Sequence, residues 1–347
     1  MLLEARTSFI PPCAVVESNT MLFADYMEYW IELAKQSLSE VTYAGYCGII
    51  RKSINPYFIK KDIRLCDLTP KHIQDFYIKM LKTVSANSVL HYHANIHKAL
   101  KYAVKMDIIK SNPADKVERP KIKKFVGNFY NAKEINTLFQ AAKGVKLELG
   151  ILFGAFYGLR RSEIVGLKWD AIDFNHNTIT IRHTVVGYYS VDGKNETSIK
   201  DCAKNTSSLR TLPLVPLFRD KLLELKENQR KNMKLYKSSY SNNYKDYLYV
   251  DELGNLIRPG YISGMFPKFL LQKGLRKIRF HDLRHSCASL LIANGISMKQ
   301  IQEWLGHSNF STTANTYSHL EYSSKVSLAN AMLTGLGVDI ISSETAV

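Results

Sequence analysis

Two arginines, two histidines, a lysine and a tyrosine stand out in this 347-residue chain, because together those side chains can work on a phosphodiester. Late in the chain, His281-Asp-Leu-Arg284-His285-Ser follows Arg279-Phe280, and Leu305-Gly306-His307 comes ten residues before Tyr317. Far upstream, Gly158-Leu-Arg160-Arg161-Ser-Glu163 marks a tight turn leading into a helix, and Lys204 lies between the two groups. Attack on a phosphodiester loads negative charge onto its non-bridging oxygens, which two guanidiniums can each bind bidentately. Histidine can donate a further hydrogen bond or move a proton. A lysine on a mobile hairpin can protonate the leaving 5′ oxygen. Tyrosine can keep the cut end as a covalent ester, so that rejoining needs no nucleotide cofactor. Arginines in this arrangement do what a metal ion does in many nucleases.

Each of these residues also has a plainer reading. The chain holds 20 tyrosines, so Tyr317 is singled out by its register after Leu-Gly-His rather than by its type. Arg161 competes with Arg160 and is read as a DNA-backbone or surface arginine. Lys200 stands four residues before Lys204 and competes with it. Glu163 is either a structural salt-bridge partner or a group that orients its neighbours. His281, His285, Cys287 and His307 invite a zinc reading, since histidines four apart can share a helix face. No glutamate completes an H-E-x-x-H frame, however, and Arg284 would set a positive charge beside the ion. No metal and no other cofactor are therefore expected, and His285 is read as buried packing.

Positioning such a set takes a folded chain of some size. Its length suits two domains, and its apolar and charged fractions, 46% and 22%, are ordinary for a globular protein. The formal charge of +16 is not; it favours an anionic polymer or surface as partner. The longest apolar stretches, such as Ala288–Ala293, are too short to span a bilayer. Glu4 and Arg6 stand where a signal peptide would need an apolar core, so a cytoplasmic location is expected. Five scattered cysteines with no C-x-x-C pair argue for reduced thiols, with neither a disulfide framework nor a zinc ribbon.

Apolar periodicity then lays out the elements. Residues 1–20 form an irregular lead-in. Helices are expected from Met21 to near Lys35, from Thr42 to about Phe58, and from a Thr69-Pro70 cap through Leu81. A fourth, capped by Ser85 or Asn87, reaches Met106, with Leu90, Ile96, Leu100 and Val104 inward and His97, Lys98, Lys101 and Lys105 outward. These make a helical domain over 21–112. Residues 113–130 read as a basic linker, in which Pro113 and Pro120 prevent a continuous helix and Lys121, Lys123 and Lys124 are placed to touch phosphates. Asn131 and Glu134 open a second domain with a capping-box-like start. It should contain short helices over 147–157 and 162–168, a strand over 178–186, and a hairpin of 198–203 with 209–214 around Lys204. Helices follow over 216–237, 261–273, 281–294, 297–305 and 312–317. Leu328, Ala329, Met332, Leu333 and Leu336 form a last apolar stripe within the C-terminal helix or tail, 323–347.

The segments GLRRSE, KNTSSLRTLPL, HDLRHS and LGHSNFSTTANTYSHL, in this order, closely resemble the tyrosine recombinase (phage integrase) family. They look most like integrases of phages and conjugative transposons of Gram-positive bacteria. The likeness runs from about Met21 to Tyr322, and SNPADKVERPK ends a segment similar to that family's helical core-binding domain. The resemblance implies a mainly α fold with a small antiparallel β-sheet. A helical, SAM-like core-binding domain and a mixed α/β catalytic domain over 131–322 would form a C-shaped clamp on DNA.

By that resemblance Arg160 and Arg284 bind the scissile phosphate, and Lys204 is the general acid for the 5′ oxygen. His281 assists proton transfer or binds phosphate, His307 holds a non-bridging oxygen, and Tyr317 is the nucleophile of a 3′-phosphotyrosyl intermediate. Glu163 matches an acidic position that orients neighbouring groups, and Lys98, Lys101, Lys105, Lys121, Lys123, Lys124 and Arg161 are candidate DNA contacts. The expected protein is a metal- and ATP-independent site-specific recombinase that integrates and excises a mobile element through a Holliday junction. Its partners would be double-stranded core-site DNA, three further copies of itself docked through the C-terminal segment, and an excision factor. The alternatives are a type IB topoisomerase-like relaxer and a non-catalytic DNA-binding regulator. One departure from the family pattern is that twenty residues before the helical domain are too few for the arm-binding domain that integrases of mobile elements often carry.

Overall fold

The computed structural model describes residues 20–122, 128–201 and 209–308. Among these residues the chain is mostly helical with two small antiparallel sheets. They group into two units, one of residues 20–122 with Tyr188–Glu196, the other of residues 128–187 with 197–201 and 209–308.

In the first unit, α1 (Phe23–Ala34) buries Phe23, Tyr26, Met27, Trp30 and Ile31 along one side. Ser39 caps α2 (Glu40–Ile49) by accepting from the Thr42 amide, so this helix starts two residues before Thr42. It widens into a π-helical turn over Ile50–Ile54 and resumes as α3 (Asn55–Ile59). Helix α4 (Pro70–Leu81) has proline in its first turn, and its capping residue Thr69 and His72 bond each other reciprocally. Of the two candidate caps for α5 (Ala86–Lys105), Ser85 is the one used. The buried face of α5 carries Val89, Tyr92, Ile96, Ala99, Leu100 and Ala103. Leu90 and Val104, expected inward, are only half-buried. The small Ala99 and Ala103 explain the difference, because they let α1 approach until the Tyr26 hydroxyl donates to the Ala99 carbonyl at 2.8 Å.

The second unit opens with α6 (Ala132–Ala142), where the Asn131 side chain accepts from the Glu134 amide and Glu134 from the Asn131 amide. Helices α7 (Glu148–Phe156) and α8 (Arg161–Gly166) follow. After the strands come α9 (Pro216–Tyr236), α10 (Pro259–Gln272), α11 (Asp282–Ala293) and α12 (Met298–Leu305). Phe153, Ile164, Ile181, Phe218, Phe266 and Leu283 are among the residues of its core, and all are fully or almost fully buried.

The strands depart from expectation in two places. The single strand over 178–186 breaks at Arg182 into β2 (Thr178–Ile181) and β3 (His183–Tyr189), which belong to different sheets. Among the described residues, the expected hairpin partners, 198–201 and 209–214, lie in different sheets. Strand β4 (Asn195–Asp201) shares a two-stranded sheet with β3, whereas β5 (Arg210–Pro213) is antiparallel to β2 in a sheet completed by β1 (Ile172–Asp173). Asp192-Gly193 accounts for this, since a tight turn with Gly193 at φ +75° joins β3 directly to β4. The register sets Ile179 opposite Leu212 and Ile181 opposite Arg210. Alternation therefore sends Arg210 inward with Leu212 and leaves Thr180 and Thr211 outside, their hydroxyls 3.1 Å apart. Among the described residues no helix is long and apolar enough to cross a membrane.

Candidate active site

The turn between α7 and α8 is built around Gly158. Its φ of +64° is a conformation that side chains rarely adopt, and a Cβ there would stand 2.4 Å from Leu305 Cδ2. Its carbonyl accepts from Arg284 Nη1 at 2.7 Å, so the turn is fixed from above by α12 and from the side by α11. Two residues later Arg160 occupies the capping position of α8. Glu163, on the first turn, reaches back: Oε2 accepts from the Arg160 amide at 3.0 Å and Oε1 from Arg160 Nη1 at 2.6 Å.

A third arginine closes on the same carboxylate. Arg210 Nη2 donates to Glu163 Oε2 at 2.9 Å and Nη1 to Oε1 at 3.4 Å, while its Nε donates to the Trp304 carbonyl at 2.9 Å. Glu163 is 1% exposed. Burial pushes its carboxyl up, but Arg210, Arg160 and Arg284 outweigh that and hold it at about 2. Helix α12 ends at Gly306 in a left-handed conformation, φ +69°. The Gly306 carbonyl accepts from Arg160 Nη2 at 3.2 Å, and a Cβ on this glycine would lie 2.7 Å from Arg210 Nη1.

Arg284 is 2% exposed and lies in the first turn of α11, which His281 caps. Buried Ser286 ties this helix to the start of the unit, accepting from the Tyr130 amide at 2.9 Å and donating to the Asp282 carbonyl at 3.0 Å. His281 is exposed as a residue, yet desolvation of its ring, then His285, Arg284 and Arg160, lower its pKa to about 4. Half-buried His307 falls to about 3 for the same first reason, with Arg284 and Arg160 next. Both are therefore neutral at pH 7 and offer N–H donors without adding charge. His285, expected to be buried packing, is half-buried and stands edge-on to the His281 ring at 5.2 Å.

Chain segments around 160, 210, 284 and 307 thus meet at one place. Three arginines against one carboxylate leave two positive charges, flanked by two neutral imidazoles, which suits a phosphodiester whose charge grows during reaction. Among the described residues no three His, Cys, Asp or Glu are grouped to hold a metal ion. Lys204 and Tyr317 lie outside the described residues, as do Lys123 and Lys124. Arg161 points elsewhere, donating to Ser263 Oγ at 2.5 Å. In the first unit Lys98, Lys101 and Lys105 are exposed on α5, with Lys98 Nζ 5.4 Å from the centre of the Tyr46 ring, and Lys121 is exposed after the helix. Arg210 was not among the residues expected here. Its signal was present, because Leu212 and Leu214 share its parity on the strand and a buried arginine requires an acid.

Known proteins resemble this chain over most of its length. Residues 128–324, more than half of the chain, match the phage integrase family, and residues 22–81 match the phage integrase N-terminal SAM-like domain. The XerC-like tyrosine recombinase of Caldanaerobacter subterraneus subsp. tengcongensis is 29% identical over 321 residues, 88% of this chain and 81% of that protein. The ICEBs1 integrase of Bacillus subtilis is 29% identical over 279 residues, 78% of this chain and 72% of that protein. The Tn1549 transposon integrase, solved in complex with a circular intermediate DNA, superposes with a TM-score of 0.75 at 17% identity, over 90% of this chain and all of that one. This last likeness is one of fold.

Proposed function

The chain belongs to the phage integrase family, and from that membership we propose how a tyrosine-type site-specific recombinase works with these residues. The observation that carries the reading is the convergence of Arg160 and Arg284, 124 positions apart in the chain, on a single turn: Arg284 bonds the Gly158 carbonyl, and Arg160 starts the helix that follows.

Arg160 and Arg284 bind the non-bridging oxygens of the scissile phosphate, with His281 and His307 as neutral donors beside them. Tyr317 Oη gives its proton to His281 and attacks phosphorus. The P–O5′ bond breaks, Lys204 protonates the departing oxygen, and the strand is left as a 3′-phosphotyrosyl ester with a free 5′ hydroxyl. A 5′ hydroxyl from the partner duplex then attacks the ester and frees Tyr317, so bond energy is conserved without metal or ATP. Glu163 holds Arg160 in its aim.

Residues 21–112 serve as the core-binding domain, 131–322 as the catalytic domain and 113–130 as the linker. Two pairs of such exchanges, the first making a Holliday junction and the second resolving it, integrate or excise a mobile element. Four copies assemble on two sites, with the apolar stripe in 323–347 docking on a neighbour, and an excision factor sets direction. Two proteins described above bear on this, one named ICEBs1 integrase and one a transposon integrase solved with circular intermediate DNA.

A duplex nicked close to a candidate core site tests the reading, because the short fragment beyond the cut diffuses away and religation fails. Wild-type protein should accumulate a covalent 3′ adduct without metal or ATP, and Tyr317→Phe should not. An adduct that persists in Tyr317→Phe removes Tyr317 as nucleophile. Relaxation of a supercoiled plasmid without pairing of two sites would instead favour a topoisomerase-like relaxer.

A further inference from the structure

Arg210 has no part in the mechanism above, yet it is 9% exposed and shares its guanidinium between two elements of the site. We propose that Arg210 is a positioning residue for strand cleavage, which sets the aim of Arg160 and the seat of His307 without touching DNA. This rests on the recombinase reading given above.

Two interactions support it. Through Nη1 and Nη2 the side chain grips Glu163, the same carboxylate that holds Arg160 by its amide and by Nη1. With Arg210 removed, that carboxylate can turn fully onto Arg160 and draw its guanidinium off the phosphate. Through Nε the side chain holds the Trp304 carbonyl in the last turn of α12. The chain then crosses directly over the guanidinium at Gly306, too close for a Cβ, and His307 is the next residue.

The geometry matters here more than the charge. Glu163 needs a cation, but a lysine would supply one from a single point, whereas the planar fork of arginine meets a carboxylate and a carbonyl from three nitrogens at once. Arg210→Lys therefore keeps the charge and loses the alignment.

Single-turnover cleavage of the nicked duplex by the full chain, read beside binding of the same duplex and the urea midpoint, tests this. Arg210→Lys should cleave roughly tenfold to a hundredfold slower, the scale expected for a small misplacement of reacting groups. DNA affinity should stay within about threefold, because the phosphate-binding side chains remain. The pair Glu163→Gln/Arg210→Met takes both buried charges away, which restores stability when the partners go together. Cleavage by this double variant should stay at least as slow as by Arg210→Lys, since Arg160 has lost its support. Should Arg210→Lys fail to fold, the double variant decides. Wild-type cleavage by Arg210→Lys, or cleavage that recovers along with stability in the double variant, overturns the proposal and leaves the recombinase reading intact. Absence of any adduct with the wild-type protein instead sinks the recombinase reading and this proposal with it.

Discussion

Glu163 holds Arg160 at both ends of one residue, taking its backbone N–H at 3.0 Å and its guanidinium at 2.6 Å. Backbone and side chain are thus fixed by one carboxylate, which is itself buried and shared with Arg210. Glu163→Ala leaves two arginines facing each other, one of them buried. Breaking a buried pair from one side costs about 3–5 kcal/mol, so the urea midpoint should drop sharply and cleavage should slow with it. A midpoint equal to wild type would show that the pair contributes nothing to the fold.

Gly158 allows a close approach that no other residue can make. Gly158→Ala both strains a left-handed φ and drives a methyl into Leu305. Backbone strain of this kind costs about 1–3 kcal/mol, to which the clash adds. Thermal melting should therefore fall, and cleavage should fall further than melting suggests, because the carbonyl that anchors Arg284 must move. Melting and cleavage both unchanged would mean that the turn adapts freely.

Acid should loosen the second unit. His281 and His307 titrate near 4 and 3 when folded, against 6.5 when unfolded. Between those values the unfolded chain binds more protons. Their contribution is complete above pH 6.5 and is lost as the pH falls toward 4 and 3. Glu163 adds a loss of the same sign, starting at 4.5 and running down to about 2. The melting temperature of DNA-free protein should decline steadily on acidification through this window. A flat or rising profile contradicts neutral histidines in the folded site.

Lys98, Lys101 and Lys105 offer a separate test of how the first unit meets DNA. Replacing all three by glutamine should weaken binding to every sequence alike. The plot of log affinity against log salt should become shallower by about 0.9 for each phosphate that these lysines neutralise. An unchanged slope would move the DNA-binding surface away from this face of α5.

Much of the local structure was legible in the sequence because its causes are local. Thr69-Pro70, Ser85 and Asn131 with Glu134 each start a helix where their capping chemistry puts it. The strands were not, because pairing is decided by partners far along the chain. The run 178–186 alternates for most of its length and still divides at Arg182, since the Asp192-Gly193 turn claims its second half for β4. The same non-local choice hid Arg210, whose inward direction follows only once β5 is set against β2. Arg160, Glu163, Arg284 and His307 could be named in advance from their motifs, but their joint hold on the Gly158 and Gly306 turns could not.

Order of synthesis gives the carbonyl of Gly306 a further significance. Arg160 leaves the ribosome 146 residues ahead of the acceptor that steadies its second amine, and Arg210 leaves 94 residues ahead of Trp304. Chains grow from the N-terminus and fold in that order. A half-made protein can thus have a folded first unit while its arginines still lack their final supports. A chain that stops short of Trp304 holds Arg160 and Arg210 without those two acceptors.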